Sequence, residues 1–358
     1  MIGLLTFHNV TNYGAVLQAY ALQRVIDEFG YQSEYINLSF NRKYLPGKKQ
    51  GKKVLYIVKK FKNPIKKVYQ RVKVTKFQNF RGRNLRISQK GYCGDGGMLA
   101  CSGYDKYIVG SDQVWNFDIT NTTKAYLLDF VPDGIPKYSY ASSIGVDTLT
   151  REQKEIFKSC LSRFDAISVR EEQAKKMLND LVEQEISVVV DPTMLLTADE
   201  WKKIAVYPKQ KQYILIYAMA DSDGLIQQAK KISKDRKLPI LAIGLKKKYP
   251  GIRNLYTVGP EEWLGYFCNA SAVVTNSFHG TSFSLIFNKD LYLEYLPSGW
   301  SVNSRLENAV KLFGLSERLI GVANQPENHK ISYEKINQIL KEKRIFSLSY
   351  VEKICKST

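Results

Sequence analysis

Strand-length apolar runs alternate with helix-length amphipathic segments, first over residues 2–190 and again over 213–313. Parallel strands need a crossover of a dozen or more residues, and an amphipathic helix supplies it. This order therefore points to parallel sheets with right-handed connections. In the first series the pattern predicts strands over 2–7, 34–38, 106–109, 137–142, 166–169 and 186–190, with helices over 15–29, 151–163 and 171–181. In the second it predicts strands over 213–217, 239–243, 272–274 and 291–295, with helices over 223–235, 261–268 and 304–313. The fold class is thus α/β, with two Rossmann-like domains (1–196 and 212–332), each on a parallel sheet, and a cleft between them. A helical end over 333–358 is placed to pack back on the first domain. At 358 residues and 44% apolar content the chain can fill both cores.

One junction stands out. The run Ala272-Val273-Val274 stops at Thr275-Asn276-Ser277, and a helical pattern starts at Phe278-His279-Gly280-Thr281. Open α/β sheets bind ligands beyond the carboxyl ends of their strands, and a helix N-terminus offers unpaired N–H groups to anions. His279 is there to move a proton, while Asn276, Ser277, Gly280 and Thr281 are candidate ligand contacts. The competing reading is a histidine that merely satisfies backbone groups. At the other end, a short strand runs into the polar loop His8 to Gly14 and a helix closed by Gly30. Within that loop Asn12, Tyr13 and Gly14 form a candidate ligand loop, although any tight turn uses glycine.

These segments resemble the polysaccharide pyruvyl transferase family. The likeness is carried by the TFHNVTNYGAVLQAYALQ opening, VGSDQVWN (109–116), YASSIG (140–145), SVRE (168–171), VVDPTMLL (189–196) and SFHGTSFS (277–284), in order. It implies a GT-B-like fold and transfer of a pyruvyl group from phosphoenolpyruvate to two sugar hydroxyls, forming a cyclic ketal. No cofactor or metal is implied. His279 becomes the general acid/base. Family members carry a donor-contacting Arg two positions before this His. Ser277 occupies that position here, so another cation must serve, and Arg305 at the next helix start is the candidate. Arg170, at a strand end, matches a recurrent family Arg and suits bidentate binding of carboxylate or phosphate; its alternative is an ion pair with Glu171 or Glu172. Asp112 could hold a sugar hydroxyl or take its proton, with Trp115 as a stacking face, or Asp112 could cap a short helix. Asp191, before Pro192, reads as structural.

Charge adds a further expectation. From Tyr35 to Gly94 there are 18 Lys and Arg and no Asp or Glu, so this stretch holds nearly all of the net +19. Val54, Ile57, Val58, Phe61, Ile65, Val68, Tyr69 and Val72 punctuate the cations at three- and four-residue steps, and Pro64 divides the stretch into two helices. Such a basic amphipathic insertion, at about 40–90, suits an anionic membrane surface through Lys48–Lys76. No nucleic-acid-binding motif accompanies it, so no nucleic-acid partner is expected. Five dispersed cysteines, no signal peptide and no membrane-spanning run predict a cytoplasmic protein, peripheral on the inner face of the plasma membrane. The implied partners are phosphoenolpyruvate and a sugar or lipid-linked oligosaccharide acceptor. The competing functions are a GT-B glycosyltransferase using a nucleotide sugar and a non-catalytic scaffold for capsule assembly.

Overall fold

The computed structural model describes residues 1–39, 64–121, 123–296, 303–321 and 331–357. Strand β1 (Ile2–Leu5) leads into α1 (Tyr13–Glu28) and β2 (Ser33–Ser39). Next come α2 (Pro64–Asn84), β3 (Ile87–Cys93), the short α3 (Gly94–Met98), β4 (Lys106–Val109) and α4 (Phe117–Thr120). The first half closes with β5 (Lys137–Ser139), α5 (Arg151–Leu161), β6 (Ile167–Val169), α6 (Glu172–Leu178) and β7 (Ile186–Val188). The second half runs through α7 (Ala198–Ile204), β8 (Ile214–Tyr217), α8 (Asp223–Arg236), β9 (Ile240–Ile243) and β10 (Ile252–Asn254). It continues with α9 (Pro260–Asn269), β11 (Ala272–Thr275), α10 (Phe278–Ile286), β12 (Asp290–Leu293) and α11 (Asn303–Phe313). A long α12 (Tyr333–Lys356) ends the described chain.

Both main sheets are wholly parallel and share one plan. Their strand orders are β3-β2-β1-β4-β5 and β10-β9-β8-β11-β12, and the pair β6-β7 extends the first through bridges such as Tyr138 to Ala166. Strands β1, β4, β8 and β11 are buried along their length, which is why they read as unbroken apolar runs. In each sheet the chain first winds to one side and then returns on the other. A switch point therefore lies between β1 and β4, and a second between β8 and β11.

The halves meet through shared aromatic packing. Tyr13 of α1 stacks on Trp263 of α9 at 5.5 Å, and Tyr20 of α1 meets Trp201 of α7 at 5.6 Å. Helix α12 ties back to the first half: Tyr350 donates to the Ser139 carbonyl (3.1 Å), and the Val190 N–H donates to Ser347 Oγ (3.0 Å).

Several elements depart from the sequence pattern. The strand expected over 137–142 ends at Ser139, because Ala141 takes a left-handed φ of 52°. Strands β3 and β10 and helices α3 and α7 were not anticipated. Strand β3 carries Lys90 and Gly91 in mid-run, and β10 is a three-residue edge strand, too short to show periodicity. Pro64 opens α2, where its missing N–H has no intrahelical role. The helix expected before it, with Val54, Ile57, Val58 and Phe61, and the stretch from Lys48 lie outside the described residues.

Candidate active site

Loops from the switch points of both sheets line one cavity of about 440 Å³, a size ordinary for a small-molecule site. Asn12 follows β1, Asp112 and Gln113 follow β4, and Ser277, Phe278 and His279 follow β11. Arg305 enters from the first turn of α11. The N-terminal ends of α1, α10 and α11 all border this space, so their partial positive charges bias it toward an anion.

His279 sits at the start of α10 because the turn before it is locally determined. Ser277 is the N-cap, accepting from the Gly280 N–H at 3.3 Å. Asn276 accepts from the Met219 N–H (2.8 Å) and donates to the Ala220 carbonyl (2.9 Å), clamping the end of β11 to the chain after β8. The imidazole lies flat on Gly14: a Cβ there would fall 2.0 Å from Nδ1. Its Nε2 is 3.7 Å from Asp191 Oδ2, an ion-pair contact beyond hydrogen-bond length. The Phe278 ring meets it edge-on at 5.2 Å.

Asp191 is the hub behind the histidine. Its Oδ1 accepts from Thr193 Oγ1 (2.7 Å) and the Thr193 N–H (3.0 Å), and its Oδ2 accepts from Arg170 Nη1 at 2.5 Å. Burial by itself would push this carboxyl up. His279, Arg170 and the Thr193 backbone outweigh it and hold Asp191 well below the usual carboxylate range. Arg170 also donates from Nε to Glu171 Oε1 (3.0 Å). Burial opposes its charge, but Glu171 and Asp191 win and raise its pKa.

Arg305 contrasts with Arg170. Its side chain is 10% exposed, its buried Nε has no hydrogen-bond partner among the described residues, and its closest carboxylate contact is Asp112 Oδ1 at 3.8 Å from Nη1. Burial and the like charge of Arg170 lower its pKa, offset in part by Asp112. Phe278 stands between the two guanidiniums, 4.9 Å from Arg170 Cζ and 5.9 Å from Arg305 Cζ.

The structure thus brings His279, Asp112, Arg305, Asn12 and Ser277 to one cavity and corrects other expectations. Arg170 is not an open fork: Glu171 takes its Nε and Asp191 its Nη1, which leaves Nη2 alone without a partner among the described residues. Trp115 offers no stacking face: its indole is buried against Phe157 and Phe164 and donates to the Tyr126 carbonyl at 2.9 Å. Tyr13 is also buried, donating to the Val258 carbonyl at 2.9 Å. Gly14 makes room for His279 rather than for a ligand. Gly280 clears Thr275 Oγ1, which would lie 2.3 Å from its Cβ, and Thr281 is buried off the cavity. The amide of Asn276 is spent on the Met219 and Ala220 backbone. Asp112 accepts from the Gln113 N–H at 2.8 Å, yet its carboxylate still borders the cavity.

The sequence marks Asp191 only through the backbone constraint of the adjacent Pro192, although it follows β7 just as Asp112 follows β4 and comes to lie behind His279. Gln113, whose Nε2 is buried without a partner among the described residues, carries no mark of its own within its motif. Elsewhere, His8 stacks on Tyr35 at 5.5 Å, and burial lowers its pKa to about 4, so it stays neutral near pH 7. Among the described residues no group of three or more His, Cys, Asp or Glu is placed to hold a metal ion, and no helix is long and apolar enough to cross a membrane.

A family model described as polysaccharide pyruvyl transferase matches residues 12–290. No curated protein matches the chain by sequence. Among solved structures, the UDP-GlcNAc 2-epimerase of Methanocaldococcus jannaschii aligns at 13% identity over 95% of this chain and 91% of that one, with a TM-score of 0.51. A second structure of that enzyme, in complex with UDP-GlcNAc and UDP, aligns at 16% identity over 95% and 99%, with a TM-score of 0.49. The E. coli ADP-heptose lipopolysaccharide heptosyltransferase II aligns at 10% identity over 95% and 98%, with a TM-score of 0.36. At 13% identity the first of these likenesses establishes fold alone, a GT-B-like pair of parallel-sheet units.

Proposed function

The chain belongs to the polysaccharide pyruvyl transferase family, and from that premise we propose that it moves a pyruvyl group from phosphoenolpyruvate to two hydroxyls of a sugar in a cell-surface polysaccharide precursor. The observation that carries the donor assignment is Arg305, a largely enclosed guanidinium with no hydrogen-bonded carboxylate among the described residues, facing the same cavity as His279. Phosphoenolpyruvate brings a carboxylate and a phosphate, and Arg305 with the surrounding helix N-termini offers the complementary charge.

The reaction needs C3 of the donor protonated, which leaves C2 electrophilic. One sugar hydroxyl then attacks C2 and loses its proton. The second hydroxyl attacks the same carbon, loses its proton and expels phosphate, closing the ketal. In this reading His279 gives or takes these protons, and Asp191, 3.7 Å from its Nε2, orients the imidazole. Asp112, in contact range of Arg305, faces the acceptor and receives a hydroxyl proton.

Incubation with phosphoenolpyruvate and candidate free or lipid-linked saccharides should release inorganic phosphate and add one pyruvyl mass to the acceptor. His279→Ala should lower the rate by about 10²–10⁴-fold with the fold intact. Near-full activity in that variant would remove the proton-transfer role. Binding of UDP or GDP without binding of phosphoenolpyruvate would replace the whole reading with sugar transfer from a nucleotide sugar.

A further inference from the structure

Helix α2 has two unlike halves. Its C-terminal half is docked: Phe77 and Phe80 are buried, Lys76 Nζ lies 2.6 Å from Glu262 Oε1, and Arg83 Nη2 lies 2.8 Å from Glu261 Oε1. Its first turns turn an apolar stripe outward. Ile65 is 58% and Val68 54% exposed, and Tyr69 and Val72 are also exposed. These positions fall at i, i+3, i+4 and i+7, one face of a helix. Lys66, Lys67 and Arg71 flank them, within the stretch that holds no acidic residue from Tyr35 to Gly94.

Distant segments enlarge the patch. Val206 and Tyr207 are 53% and 50% exposed, and Tyr256, also exposed, stacks on Tyr69 at 5.4 Å with ring planes 5° apart. Tyr69, Val206, Tyr207 and Tyr256 line one shallow groove of about 370 Å³. Single exposed apolar residues are ordinary. A joined patch flanked on the first turns of α2 by Lys66, Lys67 and Arg71 marks an interaction surface.

We propose that this patch docks the protein on an anionic lipid bilayer, with the first turns of α2 lying in the headgroup region. The composition selects that partner. Aliphatic side chains enter the acyl boundary, tyrosines sit at headgroup level, and lysines reach anionic phosphates. A nucleic acid would satisfy the cations but leave Ile65, Val68 and Val72 in water. The docked half of the same helix leads toward the cavity: Phe77 packs on Tyr13 (5.0 Å), and Tyr13 meets Tyr217, a cavity residue, at 6.1 Å. Delivery of a lipid-linked acceptor to that cavity rests on the pyruvyl-transfer reading; the docking itself does not.

The test is co-sedimentation of the full chain with phosphatidylcholine vesicles with and without phosphatidylglycerol, set against duplex DNA. Binding should require phosphatidylglycerol and weaken as salt shortens the Debye length from about 10 Å at 0.1 M to about 3 Å at 1 M. The triple variant Lys66→Gln, Lys67→Gln, Arg71→Gln should weaken it on the order of 10²-fold, since each cation at such a surface is worth about fivefold. A second triple variant, Ile65→Ser, Val68→Ser, Val72→Ser, should lose vesicle binding and keep its melting temperature, because all three side chains are exposed. No vesicle binding, unchanged binding in the serine variant, or tighter binding to DNA than to vesicles would each overturn the assignment. Turnover of a water-soluble saccharide acceptor reports on the reaction separately, so failure of one reading is not failure of the other.

Discussion

Gly14→Ala isolates the seating of the histidine from every other feature of the site. Gly14 is the second residue of α1, and its backbone is not in the left-handed region, so alanine fits the helix itself. Helix propensity would even favour the substitution, by up to about 1 kcal/mol. The new methyl, however, would lie 2.0 Å from His279 Nδ1 and 2.3 Å from its Cε1 and Cγ. Ordinary contact begins near 3.4 Å, so the ring must retreat by roughly 1 Å or more. It has little room to do so, with Asp191 3.7 Å from Nε2 and Phe278 at its edge. Overpacking costs about 1–3 kcal/mol, partly offset by the helix gain, so the protein should remain folded. A displacement of about 1 Å in a catalytic group costs on the order of 10²-fold in rate. Phosphate release from phosphoenolpyruvate with a competent acceptor should therefore show kcat reduced by about that factor and the donor KM little changed. A raised donor KM with kcat intact would mean that Gly14 approaches the ligand, as the sequence alone suggests. Full activity with an unshifted His279 imidazole resonance would refute the packing argument outright.

Arg305→Met should leave folding stability unchanged or slightly raised, since it removes a poorly partnered buried cation, while donor affinity measured by calorimetry falls; a stability loss with donor affinity intact would make Arg305 structural. Asp191→Asn strips Arg170 of its closest partner and should cost on the order of 3–5 kcal/mol in urea unfolding at neutral pH. Because the folded Asp191 carboxyl is held low, its contribution is complete above the unfolded value of about 3.9 and fades as pH falls below it, so the gap between wild type and variant should narrow in acid. A gap of constant size across that range would show that the carboxyl titrates alike in both states.

What the sequence discloses is local. The turn at His279 is legible because an apolar run, the polar turn Thr275-Asn276-Ser277 and a helical pattern follow one another within a few residues. Arg305 is legible for the same reason, as a cation in the first turn of a periodic segment. Pairings across the chain are not. Gly14 and His279 meet only because α1 and α10 pack across the two halves, and nothing near either residue encodes the other. Trp115 sits in a motif at a strand end, which suggests a binding face, but Phe157 and Phe164 bring the cover that buries it. Arg170 and Asp191 each follow a strand of one sheet, so both project toward the same edge and neutralise one another before any ligand arrives.

The exchange of cations between Ser277 and Arg305 has a physical logic. The N-cap of α10 needs a side-chain acceptor for the Gly280 N–H, which serine supplies and arginine cannot; such a cap is typically worth about 1 kcal/mol. The gain leaves the turn without positive charge. In the proposed site Arg305 supplies it, at a position where local terms oppose a cation: near a helix N-terminus, only 10% exposed, and with Arg170 against the same Phe278 ring. Asp112 at 3.8 Å offsets only part of that cost. In the proposed reaction the ligand that completes such a residue is the anionic donor. Donor binding should then stabilise the folded protein beyond what the cavity's apolar contacts provide, and that extra stabilisation should vanish in Arg305→Met while it persists in any variant that leaves the guanidinium in place.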